Sequence, residues 1–473
     1  MRIVLLALVA LAVSAAAQAP DQILTAPAAE SFSAFGSALD TDGTTVVVGA
    51  GGEGADDTGA VYLYRRDGDA WTLDARLVPD DAPAGGRFGD AVAVDDDLAV
   101  VGAPGVDGGV GAAYVLRRSG AGAWSVEARL DAPESAVPAR FGSHVAIDPA
   151  RVAVGSGRTG AAAVYRSDES GGWDLEAELV PADVAEGGVV ALDADLLAVG
   201  AWGRDGEAGA VDVYRHEADT WTYQRTLAAP APEAGARFGW RLAASLGRLL
   251  VGAYGTDDAT GSAYLFDADE GALAGTLAAP RPDPGEYFGY DVALDGELAL
   301  VGAWGDHEAG AHAGRAYLFW EDEATGQWPP IAEYLSEDPV GDNFGHAVAL
   351  AGAVALVQSQ GEAVAGEAFA GAVYAFAVNR PTASEPGPAR IAAAVVPNPT
   401  AGRAWLDVAL AAPGVARVTV VDGVGRRVRS ATVAVGAGRQ RVPLDLAALP
   451  PGVYLWRLDG AGQTARGMVT VAR

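Results

Sequence analysis

A Phe-Gly pair returns at regular intervals along most of this chain. The intact copies are Phe35-Gly36, Phe88-Gly89, Phe141-Gly142, Phe238-Gly239, Phe288-Gly289 and Phe344-Gly345, and a degenerate copy is Gly187-Gly188. Successive copies are 53, 53, 46, 51, 50 and 56 residues apart. A period of this size is typical of chains built from one repeated supersecondary unit. The main body is therefore interpreted as seven repeats.

Each repeat has the same internal order of segments. The Phe-Gly pair opens an alternating segment such as Asp90 to Val94, and an apolar run ending in Val-Gly-Ala follows, as at Val101 to Ala103. A Gly-rich loop then leads to a segment with Tyr, such as Ala60 to Tyr64, and to a last segment such as Trp71 to Leu77. Period-two alternation between Asp/Gly turns predicts four short strands per repeat. Four strands at this period favour a seven-bladed β-propeller, in which the Gly of Val-Gly-Ala removes bulk where neighbouring blades crowd together.

The two ends of the repeat region complement each other. The seventh repeat, Phe344 to Val378, supplies only three strands, and its missing last segment has a counterpart in Ile23 to Pro27, which is similar to Thr226 to Pro230. The N-terminal segment is therefore predicted to complete the last blade and close the ring. Closure removes two exposed sheet edges.

The first residues have the pattern of an export signal. Met1-Arg2 precedes an apolar run, Ile3 to Val13, and small residues follow it. This predicts a signal peptide over 1–17, with cleavage after Ala17 rather than after Ala19, which Pro20 follows. The run is too short to span a bilayer and no later segment is long enough, so no membrane span is expected.

Charge marks a second domain. The net charge of the chain is −30, which disfavours nucleic acid as a partner. Residues 389–473 are basic instead, with 11 Arg, 4 Asp and no Glu. A Pro-rich linker is predicted over 380–389, between a propeller over 18–379 and a C-terminal domain over 390–473. Short alternating segments separated by turns predict that this domain is a small immunoglobulin-like β-sandwich, so the whole chain is expected to be all-β.

The repeat pattern resembles FG-GAP repeats, the units of integrin-type propellers and of many bacterial surface proteins. Propellers of this family often bind calcium through an Asp-x-Asp-x-Asp-Gly hairpin before the Val-Gly-Ala strand. The hairpins here are shorter, as in Asp40-Thr41-Asp42-Gly43 and Asp193-Ala194-Asp195. Because calcium takes six to eight oxygen ligands, no cofactor is predicted, and these residues are interpreted as turn formers.

The C-terminal domain resembles the sorting domain of the type IX (Por) secretion system. The matching residues are Pro397, Asn398, Pro399, Gly425, Arg426, Gly452 and Tyr454. The resemblance implies contact with the outer-membrane secretion machinery, passage across the outer membrane, and then release or attachment at the cell surface. An ordinary accessory sandwich is the alternative.

Few residues point to catalysis. Cysteine is absent and no Gly-x-Ser-x-Gly elbow occurs, which excludes thiol chemistry and removes the usual serine signature. His144 and His346 follow repeat openings and are expected to face solvent. Asp306, His307, Glu308 and His312 share one loop, but a loop without a supporting strand or helix disfavours zinc. The protein is predicted not to be an enzyme.

Aromatic residues recur at equivalent loop positions. Loops that follow Val-Gly-Ala and loops that precede Phe-Gly are expected on one face of the propeller. The candidate ligand-binding residues on that face are Trp202, Trp240, Tyr254, Tyr290, Trp304, Asp205, Asp257, Asp258 and Asp306. Aromatic rings beside carboxylates can stack on sugars or grip peptide side chains, whereas the alternative is that these rings only fill gaps between blades.

Together these features predict a monomeric, secreted or cell-surface binding or adhesion module that contacts protein or glycan through one propeller face. Two other functions remain open at this point: a secreted polysaccharide-acting enzyme that uses the same face, and a structural surface protein without a small ligand.

Overall fold

The computed structural model describes residues 18–54, 56–133, 139–168, 172–181, 186–322, 325–337, 341–379, 394–396, 400, 403–410, 414–421, 427–435, 438–460 and 463–472. The predicted signal peptide (1–17) and linker (380–389) lie outside these residues. The described chain is all-β, as predicted, apart from three single helical turns.

The described residues between 22 and 377 form seven four-stranded antiparallel sheets, numbered here in chain order. The first strand, β1 (Gln22–Leu24), belongs to the last sheet. Sheet 1 contains β2 (Ala38–Thr41), β3 (Thr45–Ala50), β4 (Ala60–Asp67) and β5 (Ala70–Leu77). Sheet 2 contains β6 (Ala91–Asp95), β7 (Leu98–Ala103), β8 (Ala112–Arg118) and β9 (Trp124–Asp131), with α1 (Val106–Gly109) between β7 and β8. Sheet 3 contains β10 (Phe141–Asp148), β11 (Arg151–Ser156), β12 (Ala162–Ser167) and β13 (Trp173–Leu179).

The remaining sheets follow the same order. Sheet 4 contains β14 (Val189–Asp193), β15 (Leu196–Ala201), α2 (Arg204–Glu207), β16 (Ala210–Glu217) and β17 (Thr220–Leu227). Sheet 5 contains β18 (Arg241–Ser245), β19 (Arg248–Ala253), α3 (Thr256–Ala259), β20 (Ser262–Asp267) and β21 (Leu273–Leu277). Sheet 6 contains β22 (Val292–Asp295), β23 (Leu298–Ala303), β24 (Arg315–Trp320) and β25 (Pro330–Tyr334). Sheet 7 contains β26 (Phe344–Ala351), β27 (Val354–Ser359), β28 (Ala372–Ala377) and β1.

The first strands of the sheets surround a central channel. β2 contacts β6, β6 contacts β10, and the series continues through β14, β18 and β22 to β26, which contacts β2 again. The second strands lie behind them and are buried on both faces, as in β7 and β23. This double burial accounts for their uninterrupted apolar sequences.

The N-terminal strand closes this ring, as predicted. Gln22 pairs with Ala375 and Leu24 with Val373, so β1 becomes the fourth strand of sheet 7. The Leu24 side chain is buried in a cluster with Phe35. The side-chain amide of Gln22 also bonds the backbone of Trp71 in sheet 1, at 2.7 and 2.8 Å.

Packing explains why the repeats share the same order of segments. The Phe of each Phe-Gly pair is fully buried and contacts the ring of a Tyr on the third strand, edge-on in four repeats and tilted in two. In the second repeat, the Phe88 and Tyr114 ring centroids are 5.4 Å apart. The Gly of Val-Gly-Ala lies against the next sheet, because a Cβ on Gly102 would be 1.9 Å from the carbonyl oxygen of Gly142. The predicted role of this glycine is therefore confirmed. At the closing contact the equivalent residue is Gln358, which donates to the Phe35 carbonyl at 3.2 Å.

The C-terminal residues form two further sheets. One contains β29 (Ala394–Val396), β30 (Arg403–Leu410) and β33 (Gly438–Asp445), and the other contains β31 (Gly414–Val421), β32 (Arg427–Val435), β34 (Gly452–Gly460) and β35 (Gln463–Val471). A single apolar cluster joins both sheets through residues such as Leu406, Val442 and Trp456.

Opposite charges meet where these two sheets approach the repeat region. Arg417 contacts Asp267 at 2.7 Å and also pairs with Glu270, and Arg457 lies 3.6 Å from Glu297. The basic C-terminal domain thus faces acidic side chains of sheets 5 and 6, which agrees with the charge asymmetry of the sequence. Among the described residues, no helix has the length and apolar character needed to cross a membrane.

Candidate functional site

Backbone hydrogen bonds bring two sets of loops to one face of the ring. The amide of Gly203 donates to Glu186 at 2.9 Å, and that of Gly255 donates to Ala236 at 3.1 Å. Each bond joins the loop after Val-Gly-Ala to the segment before the Phe-Gly position of the same repeat. The loops predicted to share a face therefore do share it.

The aromatic residues on this face form one continuous group across sheets 4 to 7, called here the aromatic arc. Its members are Trp202, Trp240, Tyr254, Tyr287, Tyr290, Trp304 and His346. Ring centroids are 5.2 Å apart for Trp202 and Trp240, 4.9 Å for Trp240 and Tyr254, 5.7 Å for Tyr290 and Trp304, and 4.8 Å for Tyr290 and His346. All members except the buried Tyr254 are partly exposed. The structure thus brings together all five predicted aromatic residues.

The Arg237 guanidinium lies among three rings of the arc. The Arg237 Cζ atom is 5.6 Å from the Trp202 ring, 5.9 Å from the Trp240 ring and 5.3 Å from the Tyr254 ring. Its charge is opposed by Glu207, whose carboxylate lies 2.7 Å from Nη2. Cation–π contact with these three rings stabilises the part of the arc that lies on sheets 4 and 5.

Two indole donors in the arc are buried without a protein acceptor. Trp240 Nε1 and Trp304 Nε1 have no hydrogen-bond partner among the described residues. A buried N–H without a partner is costly. Because neither nitrogen is exposed, a ligand would contact these residues through their ring faces rather than through the N–H groups.

The predicted carboxylates separate into two groups. Asp205, Asp257 and Asp258 are exposed in the helical turns α2 and α3, where their φ angles are 54°, 50° and 54°. Asp306 is buried instead, and it accepts from the Tyr317 hydroxyl and from the Glu308 amide, both at 3.0 Å. Asp306 thus supports its own loop and does not face the arc.

The aromatic arc borders the end of the central channel, which encloses a cavity of about 290 Å³. Polar side chains of the first strands line this end and are called here the polar mouth. They are Ser37, Asp90, Ser143, His144, Arg241, Asp291 and His346. Arg241 also lies over the Trp240 ring, with its Cζ atom 5.6 Å from the centroid. The arc and the polar mouth therefore form one continuous surface.

The two histidines of the mouth do not lie where the sequence analysis predicted. His144 and His346 line the central cavity rather than facing outer solvent, because the first strand of each sheet turns these side chains towards the channel. Burial lowers the pKa of His144 to about 3 and that of His346 to about 4, and the positive charge of Arg241 adds to both effects. Both rings are therefore uncharged at neutral pH.

One ion pair crosses the mouth between sheets 5 and 6. Arg241 Nε lies 3.4 Å from Asp291 Oδ1, and Asp291 Oδ2 accepts from the Val348 amide of sheet 7 at 2.8 Å. Burial raises the pKa of Asp291 to about 6, although Arg241 and the backbone amides oppose this rise. This carboxylate connects three sheets at the channel entrance.

Comparisons with known proteins agree with the repeat pattern. The family model described as FG-GAP repeat matches residues 20–64, 71–116, 221–266 and 274–319. The model described as secretion system C-terminal sorting domain matches residues 394–471. The chain carries four FG-GAP repeats and a C-terminal sorting domain. The sorting domain indicates type IX secretion to the cell surface or extracellular space, and it implies contact with that secretion machinery.

The other comparisons add less. A search of curated proteins found no match. A solved structure from Bacteroides fragilis, provisionally described as a 6-phosphogluconolactonase, is 15% identical with a TM-score of 0.46, and the alignment covers 64% of this chain and 85% of that one. A likeness of this degree carries no inference about activity.

Sequence analysis did not assign nine members of the arc and the mouth to the site: Ser37, Asp90, Ser143, His144, Arg237, Arg241, Tyr287, Asp291 and His346. They lie immediately before a Phe-Gly pair or one or two residues after it, at or next to the positions of the predicted Trp240 and Tyr290. These residues could have been found by comparing the positions on either side of the Phe-Gly pair from one repeat to the next.

The hairpins between the first and second strands of the sheets use their carboxylates within the protein. Asp42 Oδ1 accepts from the Thr44 and Thr45 amides at 2.6 and 2.7 Å, which is the turn-forming role predicted for it. Asp193 instead bonds the Gly247 amide of the next sheet at 3.0 Å. Among the described residues, no three His, Asp or Glu side chains are grouped so that they could hold a metal ion.

Of the sorting-domain residues, Pro397, Asn398, Pro399, Gly425 and Arg426 lie outside the described residues. Gly452 begins β34, and Tyr454 is buried and donates from its hydroxyl to the Pro450 carbonyl at 2.9 Å.

A buried carboxyl in the channel wall should make stability depend on pH. Burial raises the pKa of Asp40 to about 7 from its usual value of 3.8, although the Val94 amide donates to it. Because the unfolded state loses this proton at lower pH than the folded state, the folded state should lose stability as the pH rises from about 4 to above 7. Asp40→Asn should reduce this loss by about 2 kcal/mol, measured by urea unfolding at pH 5 and pH 8. Asp96→Asn, at an exposed position with φ of 53°, is the control, and an equal pH response in both variants would contradict the assignment to Asp40.

Proposed function

We propose that this chain is a secreted or cell-surface binding or adhesion module, and that its aromatic arc contacts glycan or protein. In this proposal residues 1–17 are a signal peptide, 18–379 form one seven-bladed β-propeller, 380–389 are a linker, and 390–473 form an immunoglobulin-like sorting domain. The module acts as a monomer without a cofactor and is not an enzyme.

The single observation that carries the binding function is the continuous and partly exposed aromatic arc, in which the Trp202 and Trp240 ring centroids are 5.2 Å apart and the Arg237 guanidinium lies beside both. Rings that only fill gaps between sheets are expected to be buried. All members of the arc except Tyr254 are partly exposed instead. Adjacent ring faces beside charged groups are what a sugar or an amphipathic peptide side chain requires.

The arc is tested by the double variant Trp202→Ala/Trp304→Ala, which leaves the buried Tyr254 in place. We expect binding to a glycan array and to bacterial cell surfaces to fall at least tenfold, because two ring faces are lost together. Binding is measured by array fluorescence and by pull-down with whole cells.

Tyr223→Ala is the matched control, because this ring is 56% exposed on β17, away from the arc. Unchanged binding in the double variant would refute the aromatic-face proposal. Turnover of a polysaccharide panel by the unmodified protein would instead support the enzyme alternative, and absence of any ligand would support a structural surface role.

A further inference from the structure

The polar mouth is close to electrically neutral, although the whole chain carries a net charge of −30. Arg241 is opposed by Asp291 at 3.4 Å, and Asp90 is paired with Arg87 at 2.7 Å. The two histidines are uncharged at neutral pH. A charged ligand would meet no unpaired counter-charge here, whereas a polyhydroxyl ligand would meet both donors and acceptors.

The channel below the mouth has the opposite character. Its side chains are mostly apolar, such as Ile147, Leu192, Leu294 and Leu350, and Asp40 is the one charged residue lining that part of the described cavity. Sugar hydroxyls that entered this region would meet fewer side-chain donors and acceptors than at the mouth. A glycan is therefore expected to place one end at the entrance rather than to thread the ring.

Size leads to the same conclusion. The cavity of about 290 Å³ lies at the lower limit of small-molecule sites, which measure about 300–1,000 Å³. Because this volume also includes the channel below the mouth, the mouth itself suits a terminal ring rather than a long oligomer. The arc begins directly outside it, where the Tyr290 and His346 rings lie 4.8 Å apart, so later residues of a chain could stack there.

We infer that the polar mouth binds the terminal residue of a neutral glycan end-on, with Arg241 and Asp291 bonding its hydroxyl groups and the aromatic arc contacting the residues that follow. This inference rests on the proposed glycan-binding function of the arc, which it makes specific for chain ends. The mouth thereby selects termini, while the arc supplies affinity.

The test uses the unmodified protein and a panel of neutral tetra- to hexasaccharides in three forms: both ends free, the reducing end reduced to an alditol, and the non-reducing end blocked by an O-alkyl group. We expect one of the two modifications to weaken binding at least tenfold in calorimetric titration, and the other to have little effect.

The variant Arg241→Gln/Asp291→Asn removes both charges together, so that no buried carboxylate is left unpaired. It should weaken binding of the free-ended glycan at least tenfold and should abolish the difference between free and blocked ends. Arg166→Gln changes an exposed arginine on β12 and is the control. Thermal unfolding establishes that each variant is folded, and Ser143→Ala gives a second test of the mouth should the double variant fail to fold.

The outcomes separate the two proposals. Binding that depends on the arc but is indifferent to both end modifications would overturn end-on recognition and leave the arc function standing. Tight binding of a sulfated or uronic oligosaccharide with no binding of neutral ones would also overturn it. If no glycan binds, end-on recognition is wrong. If a protein then binds in a way that depends on the arc, the proposed binding function of the arc still stands.

Discussion

Gly102→Ala should lower the free energy of unfolding by about 3 kcal/mol, because the new methyl group has no room between sheets 2 and 3. An added Cβ would lie 1.9 Å from the carbonyl oxygen and 2.9 Å from the carbonyl carbon of Gly142. Both are backbone atoms, so a rotamer change cannot relieve the clash and the two sheets must move apart. Overpacking of this kind costs about 1–3 kcal/mol and occasionally more.

The control for this variant is Gly120→Ala, in the loop between β8 and β9. A Cβ there would meet no atom within 4 Å, so the expected change is within about 0.5 kcal/mol. Urea unfolding followed by tryptophan fluorescence measures both. Equal stability of the two variants would show that the Val-Gly-Ala glycine does not set the distance between neighbouring sheets.

Leu24→Ala should cost about 3 kcal/mol, because this side chain anchors the strand that closes the ring. Leu24 is 2% exposed and packs in the cluster that joins sheets 7 and 1. Removing a buried leucine costs about 2–5 kcal/mol, from lost burial and from the cavity that remains. Loss of β1 would also expose the edge of β28, so faster aggregation on heating is expected.

Ile23 provides the matched control, since it is the neighbouring residue on the opposite face of β1 and is 37% exposed. Ile23→Ala should change stability by less than about 1 kcal/mol. Limited proteolysis should release the N-terminal segment in Leu24→Ala earlier than in Ile23→Ala. The same stability and the same cleavage rate in both variants would contradict closure by a buried Leu24.

Much of the fold could be predicted from short stretches of sequence. The alternating segment, the Val-Gly-Ala strand and the Tyr strand of each repeat are neighbours along the chain, and period-two burial makes each one readable. The complement between the three-stranded seventh repeat and Ile23 to Pro27 was also sufficient to predict how the ring closes. Repetition strengthened each of these predictions, because every repeat states the same pattern again.

The site was predicted only in part. Trp202, Tyr254 and Trp304 occupy equivalent positions in three successive repeats, so the repeat pattern predicted that they lie near one another on one face of the ring. The same logic assigned Asp306 to the face, but its side chain turns inward to Tyr317. Whether a loop side chain points out or in depends on contacts that the repeat pattern does not contain.

What the sequence determined by itself is the repeated four-stranded unit, the closing strand and the aromatic positions, because these depend on local alternation and on a period that covers the chain. The tertiary structure alone decided that His144, Arg241, Asp291 and His346 line one entrance. These residues come from four sheets and from positions far apart in sequence, and only closure of the ring brings their strands around a common channel. Their uncharged or paired states follow from the burial that this closure creates, which no single repeat could show.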